Sequence, residues 1–319
     1  MRLSLGLALG FVTFTSIAQT WPAKPIRIVS NSAAGSPGDI SLRLAAPRIG
    51  AALGQPLVVE QKGGGGGMIA VNDVQRNGPD GYAILFSSSL IIGGRFLLKN
   101  VTVDLQKDFI PISMATRSIN LLGMHNSVPV SSARELVEYA KRNPGKLTVS
   151  SNGIGSSLHL QWLGFMRNTG ADFLHIPYGS QNEAIRNNDF LTGRLSLALI
   201  PLSTMKAAMD AGAVRPLAVM GDSRYKRSPD IPAVTEAFPG YKLSLGFFAF
   251  YGPLGLPQPI VNRFAAEVQK AFKDPEIVAK LEAIDVQAVG NSPEEFAPFL
   301  NAYVANIAEL VKSAGLEPQ

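Results

Sequence analysis

The sequence has no cysteine among its 319 residues, so disulfides and thiolate metal sites are excluded and stability has to come from a packed core. Histidine is scarce: His125, His159 and His175 are dispersed, with no HExxH spacing, so no metal site is expected. Long single-sign charge runs are missing too. Basic residues are scattered, with no aromatic interleaving, which disfavours nucleic-acid binding. The formal charge is +5, or +4 once Arg2 is discounted, a mild bias that suits anionic ligands. Beyond the N-terminus, no stretch approaches the roughly 18 uncharged apolar residues of a membrane span.

What is present fits a globular protein: 46% hydrophobic and 17% charged residues, over a length that suits two domains. The opening MRLSLGLALGFVTFTSIAQTWP has one arginine, an apolar run from Leu3 to Phe14, and small residues at Ser16 and Ala18. That pattern predicts a signal peptide, residues 1–18, cleaved after Ala18. An exported, cysteine-free pair of domains points to a bacterial periplasm.

The mature part reads as alternating strands and helices. A strand in PIRIVS runs into the small-residue loop SNSAAGSPGD, and a helix follows from about Asp39. LVVEQ is a second strand, followed by five glycines (Gly63 to Gly67), a helix from Met68 and a third strand in DGYAILFSSSL. The βαβαβ order predicts a mostly parallel sheet. The middle region predicts a helix over 132–143, a strand over 146–151, a helix from Ser157, then strand, helix, strand, helix and strand. Three helices are expected near 258–272, 275–284 and 293–314. The fold class is α/β, with domain 1 discontinuous (19–122 and 220–319) and domain 2 inserted (123–219), the two flanking a ligand cleft.

Catalytic motifs fail one by one. The glycine run is followed by Met68-Ile69-Ala70, so the lysine and hydroxyl of a phosphate loop are missing. The first turn has only Gly35 and Gly38, short of a dinucleotide fingerprint. Gly153-Ile154-Gly155-Ser156-Ser157 is not a G-x-S-x-G elbow. No catalytic residue, metal or cofactor is assigned. What remains are loops of one kind at the C-terminal ends of strands: Ser32, Ala33, Ala34, Gly35 and Ser36; Ser87, Ser88 and Ser89; Asn152, Gly153, Gly155, Ser156 and Ser157; Tyr178 and Gly179. Small residues let backbone amides approach an anion, hydroxyls add donors, and a following helix N-terminus adds partial positive charge.

The stretches GQPLVVEQKGGGGGMI, DGYAIL, SARELVEYAKRNPGKLTVSSNGIGSSLHL, IPYGSQNEAI and SPEEFAPFL, in that order, resemble the Bug family, the periplasmic solute-binding proteins of tripartite tricarboxylate transporters. The resemblance covers nearly all of the mature chain. It implies a type II periplasmic-binding-protein fold (Venus-flytrap), a small carboxylate gripped by the loops named above, membrane permease subunits as partners, a monomer, and no enzymatic activity. His159 falls on a family position that orients the loop before it. The family's usual acidic pair is replaced by Ser196 and Ile200, which removes the partner of a ligand ammonium. Leu199, Ile200 and Phe247 then suggest an apolar distal pocket and a weakly polar or aromatic carboxylate, bound better than citrate. The glycine run looks like an all-glycine form of the family's strand-to-helix joint, expected to be flexible and to accept Gly64→Pro with Gly65→Ala. The alternatives are an exported, hydrolase-like α/β enzyme and a sensory binding protein serving a signalling kinase.

Overall fold

The computed structural model describes residues 21–178 and 182–318. The expected signal peptide and Gly179 lie outside the described residues. The chain opens with β1 (Ile26–Ser30), α1 (Pro37–Leu53), β2 (Leu57–Gln61), α2 (Met68–Arg76), β3 (Ala83–Ser88), α3 (Leu90–Leu97) and β4 (Phe109–Ser118). It continues through β5 (Leu121–His125), α4 (Ala133–Arg142), β6 (Thr148–Ser151), α5 (Ser157–Thr169), β7 (Leu174–Pro177), α6 (Glu183–Leu191), β8 (Leu197–Ile200), α7 (Leu202–Asp210) and β9 (Val214–Val219). It closes with α8 (Val234–Ala237), β10 (Phe247–Pro253), α9 (Gln258–Phe272), α10 (Pro275–Ala283), β11 (Val286–Ala288) and α11 (Pro293–Ser313).

A six-stranded sheet has the order β2-β1-β3-β10-β4-β11. Its central strands β1, β3 and β10 are largely buried on both faces, and their side chains alternate between two cores. Ile26, Ile28, Ile84, Phe86 and Phe250 pack with α1 and α9, while Val29, Leu85, Ala249 and Tyr251 pack with α2, α3 and α11. The other strands form a three-stranded sheet, β8-β5-β9, and a β6-β7 pair.

The expectation of mostly parallel strands is corrected. Among the described residues β1-β2, β1-β3 and β6-β7 are parallel, but β10 runs antiparallel to β3 and β4, β11 to β4, and β5 to both β8 and β9. The reason is where the chain crosses between sheets. β4 ends at the crossing and β10 begins there, with Arg117 opposite Phe247. A strand that starts where its neighbour ends has to run the other way. β5 likewise starts beside the ends of β8 and β9, with Leu121 opposite Ile200 and Val219. At the crossing Met220 N–H donates to Asn120 O (2.8 Å) and Ser118 N–H to Gly246 O (3.0 Å). Beyond β9, Met220, Val234, Tyr241 and Leu245 pack in the core of the β5-to-β9 half.

Candidate functional site

In the first half, the loop between β1 and α1 presents Ala33, Ala34 and Gly35 to solvent while Ser32 is buried. The Ser32 hydroxyl has no hydrogen-bond partner among the described residues, which is unusual for a buried polar group. Ser36 caps α1 by accepting from Asp39 N–H (3.4 Å), and the buried Asp39 carboxylate accepts from Gly35 N–H (2.9 Å), Arg43 (2.9 Å) and Gln61 (2.6 Å). The second loop, Ser87 to Ser89, is joined to the first by Asn31. Its amide donates to Ser87 Oγ (2.9 Å), and its carbonyl oxygen accepts from Ser88 N–H (3.1 Å). Ser89 is locked to β10, its amide donating to Phe247 O (2.9 Å) and its hydroxyl accepting from Phe247 N–H (3.2 Å).

The glycine run lies beside this arrangement in a backbone conformation that favours glycine. Gly64 to Gly67 all adopt positive φ, at 105°, 58°, 67° and 97°, a region costly for residues with a Cβ and closed to proline. A Cβ on Gly67 would lie 2.8 Å from the Asn31 side-chain nitrogen, and one on Gly66 2.5 Å from Val101. The run therefore lets the backbone approach the residue that holds both serine loops together. Gly63 lies outside the positive-φ set and a Cβ there meets nothing.

In the second half, the loop between β6 and α5 is held by two imidazoles. Gly155 N–H donates to His159 Nδ1 (3.1 Å), so His159 does orient the loop before it. His175 Nε2 lies 2.8 Å from Ser151 Oγ, and that hydroxyl donates to Gly153 O (3.0 Å) and accepts from Gly153 N–H (3.1 Å). This pattern puts the His175 proton on Nε2. The rings stack at 4.3 Å. Burial pushes the His159 pKa down to about 4, assisted by the charge His175 would carry, and burial also lowers His175. Ser156 caps α5 by accepting from His159 N–H (3.3 Å), and the Asn152 side-chain oxygen is buried without a partner among the described residues.

Helix α3 brings the two halves together. A Cβ on Gly93 would sit 2.9 Å from Gly155 O and 2.7 Å from Leu160, and one on Gly155 would sit 3.2 Å from Leu97. The Ser87–Ser89 and Gly153–Ser157 loops, which lead into α3 and α5, are thus held side by side. Ser157 also lies against Gly246, 3.4 Å from where a Cβ would stand.

Other expected residues sit elsewhere. Tyr178 donates its hydroxyl to Asp189 (2.6 Å), and burial followed by that carboxylate raises its pKa to about 12. Leu199, Ile200 and Phe247 are each about 2% exposed or less and belong to three different hydrophobic cores. They do not form the shared apolar pocket expected of them, because a four-residue strand such as β8 sends Leu199 and Ile200 to opposite faces. Phe247 lines a hollow of about 100 Å³, with Leu245, Phe299 and Tyr303. A larger hollow, about 760 Å³, lies around the C-terminal end of α1 and β2 and is lined by none of the expected residues. Ser151 and His175, whose roles lie in holding loops, escape the sequence pattern, and Asn31 shows in it only as part of the first small-residue loop.

The family model described as "Tripartite tricarboxylate transporter family receptor" matches residues 42–316. The chain is 28% identical over 315 residues to a UPF0065 protein in the tcbD-tcbE intergenic region of Pseudomonas sp. strain P51, covering 97% of this chain and 93% of that one. Among solved structures, the periplasmic binding protein BugD superposes with a TM-score of 0.72 at 29% identity, covering 94% of this chain and 100% of BugD. R. palustris Rpa4515 with adipate superposes at 0.75, also at 29% identity, with 94% and 100% covered.

Proposed function

The chain belongs to the tripartite tricarboxylate transporter receptor family of periplasmic solute-binding proteins, and from that premise we propose how it captures a small carboxylate. The observation that carries the reading is the buried, unpartnered Ser32 hydroxyl beside the exposed Ala33–Gly35 backbone at the N-terminus of α1. A ligand carboxylate there completes the hydroxyl's hydrogen bonding and meets the positive end of the helix dipole. Ser87 to Ser89, tied to this loop by Asn31, continue the same surface, and the Asn152–Ser157 loop forms the opposing wall. The R. palustris relative held adipate, which fits the same chemistry.

The two halves act as domains that close on the ligand, and the inserted one extends from β5 to about Leu245, because residues after β9 join its core. The joint is polar. The buried Asp285 carboxylate accepts from Ser203 N–H (2.6 Å), Tyr225 (3.2 Å) and Arg227 (2.8 Å), and Arg117 pairs with Asp222 (3.3 Å). The closed form then engages the permease subunits. The protein performs no catalysis, and it reaches the periplasm by cleavage after Ala18.

A thermal-shift screen tests this. Carboxylates raise the melting temperature in a concentration-dependent way, by mass action on the native state, and are recovered unchanged, while nucleotides have no effect. Stabilisation by nucleotides alone, or turnover of the stabilising acid, would sink the proposal.

A further inference from the structure

Helix α6 has its residues the wrong way round for an ordinary surface helix. Ile185 is 57% exposed, while the next residue, Arg186, is 2% exposed. Arginine is seldom so buried unless it is paired. Here the pairing is poor. The guanidinium donates once, from Nη2 to Asn187 Oδ1 (2.9 Å), and its Nε is buried with no partner among the described residues. The nearest carboxylate oxygen belongs to Glu183, at 3.6 Å, and that side chain is 55% exposed. Asp189, one turn on along the same buried face, is already taken by the Tyr178 hydroxyl and by Arg194 (3.0 Å). Among the described residues, a buried cation with five donors thus makes one neutral hydrogen bond.

Its position gives this deficit a use. Side chains on a helix lean toward its N-terminus, so the guanidinium points to the end of α6 that follows the C-terminal end of β7. In open α/β folds ligands bind at that end of the strands, and the helix dipole there also favours an anion. Tyr178 and Glu183 are the ionisable groups that face Arg186.

We propose that Arg186 is a specificity-determining residue that receives a second anionic group, the far carboxylate of a dicarboxylate whose first carboxylate rests on the Ser32–Ser36 and Ser87–Ser89 loops. The proposal rests on the carboxylate-capture reading and deepens it: with Leu199, Ile200 and Phe247 dispersed among three cores, the charge on Arg186 replaces the apolar distal pocket. Arginine suits the task because its planar fork binds a carboxylate through two parallel bonds.

Calorimetric titration of the full chain with aliphatic dicarboxylates of four to six carbons, each against its monomethyl ester, provides the test. The ester keeps the length and removes one charge. The wild type binds the dianion at least tenfold more tightly than the half-ester. In Arg186→Gln that ratio collapses to near one, and Arg186→Lys restores part of it. Ligand-free Arg186→Gln melts at or above the wild-type temperature, because an under-paired buried charge has been removed; a purely structural arginine would give a lower melting point with the ratio intact, which overturns the proposal. Equal wild-type binding of dianion and half-ester also overturns it, without any variant having to fold, and leaves carboxylate capture standing. Failure of every carboxylate to bind defeats both readings.

Discussion

The two small-residue loops that meet beneath α3 are held by different chemistry. In the first half the clamp is Asn31, helped by Ser30, whose hydroxyl accepts from Ser32 N–H (3.1 Å), and by Asp39 at the start of α1. In the second half it is a stacked pair of imidazoles acting through Gly155 and Ser151. Asn31 and Ser30 do not titrate, whereas His159 holds Gly155 only while its Nδ1 is unprotonated. The comparison teaches that the loop sequence specifies how closely a ligand can approach, while side chains outside the loop decide under what conditions it keeps its shape.

The strongest way to break the first clamp is through the glycine run behind it. Gly64→Pro forces a residue fixed near φ −65° into a position at +105° and is expected to cost on the order of 3 kcal/mol of stability. Gly63→Ala, at a position outside the positive-φ set and with open space for a Cβ, should change stability by less than about 1 kcal/mol. Denaturant melts of the two variants decide between a rigid support and a flexible joint: equal behaviour would restore the joint. Asn31→Ala, next in size, deletes two hydrogen bonds and orphans Ser88 N–H, at about 2 kcal/mol. It should also weaken carboxylate binding, since Ser87 and Ser88 lose their common anchor. Unchanged stability would show that the loops hold themselves.

How much of this was legible follows from which signals are local. Ser132, Ser156, Asp274 and Ser292 cap helices that start where the sequence places them, and α10 and α11 end at Ala283 and Ser313, within one residue of expectation. The stretch from Leu90 to about Ser131 carried no reading. LIIGGRFL is a short apolar run with two central glycines, which periodicity alone does not assign; it is helical, and its Gly93 fits directly against Gly155. β4 and β5 escaped notice because the chain changes sheets at Ile119–Asn120 without a turn signal, and the antiparallel order followed from that crossing. At the proposed site, the serine and glycine loops are readable from small size, hydroxyls and position after strands. The roles of Arg186, Asn31 and His175 are not, since nothing local separates a buried arginine or an anchoring asparagine from a solvated one. Ile200 and Phe247 were misplaced for the converse reason: an apolar residue next to a cleft motif packs into a core just as readily.

The imidazole clamp is the smallest of these effects at neutral pH and grows only in acid. An unfolded chain protonates histidine near pH 6.5, but folded His159 does so only at about 4. Between those values the unfolded state binds more protons, so stability is fully present above about pH 6.5 and is lost as the pH falls toward 4. Protonation at His159 Nδ1 also removes the acceptor of Gly155 N–H, so the loop loosens in the same window. His159→Gln keeps a side-chain acceptor without a titration, and it should alter stability at pH 7.5 by no more than about 1 kcal/mol. Thermal melts at intervals from pH 7.5 to 4.5 should then show a shallower acid decline for His159→Gln than for the wild type, and a wild-type slope for Asn31→Ala. If the glutamine variant declines as steeply as the wild type, the acid sensitivity lies outside the second clamp and the contrast between the two loops fails.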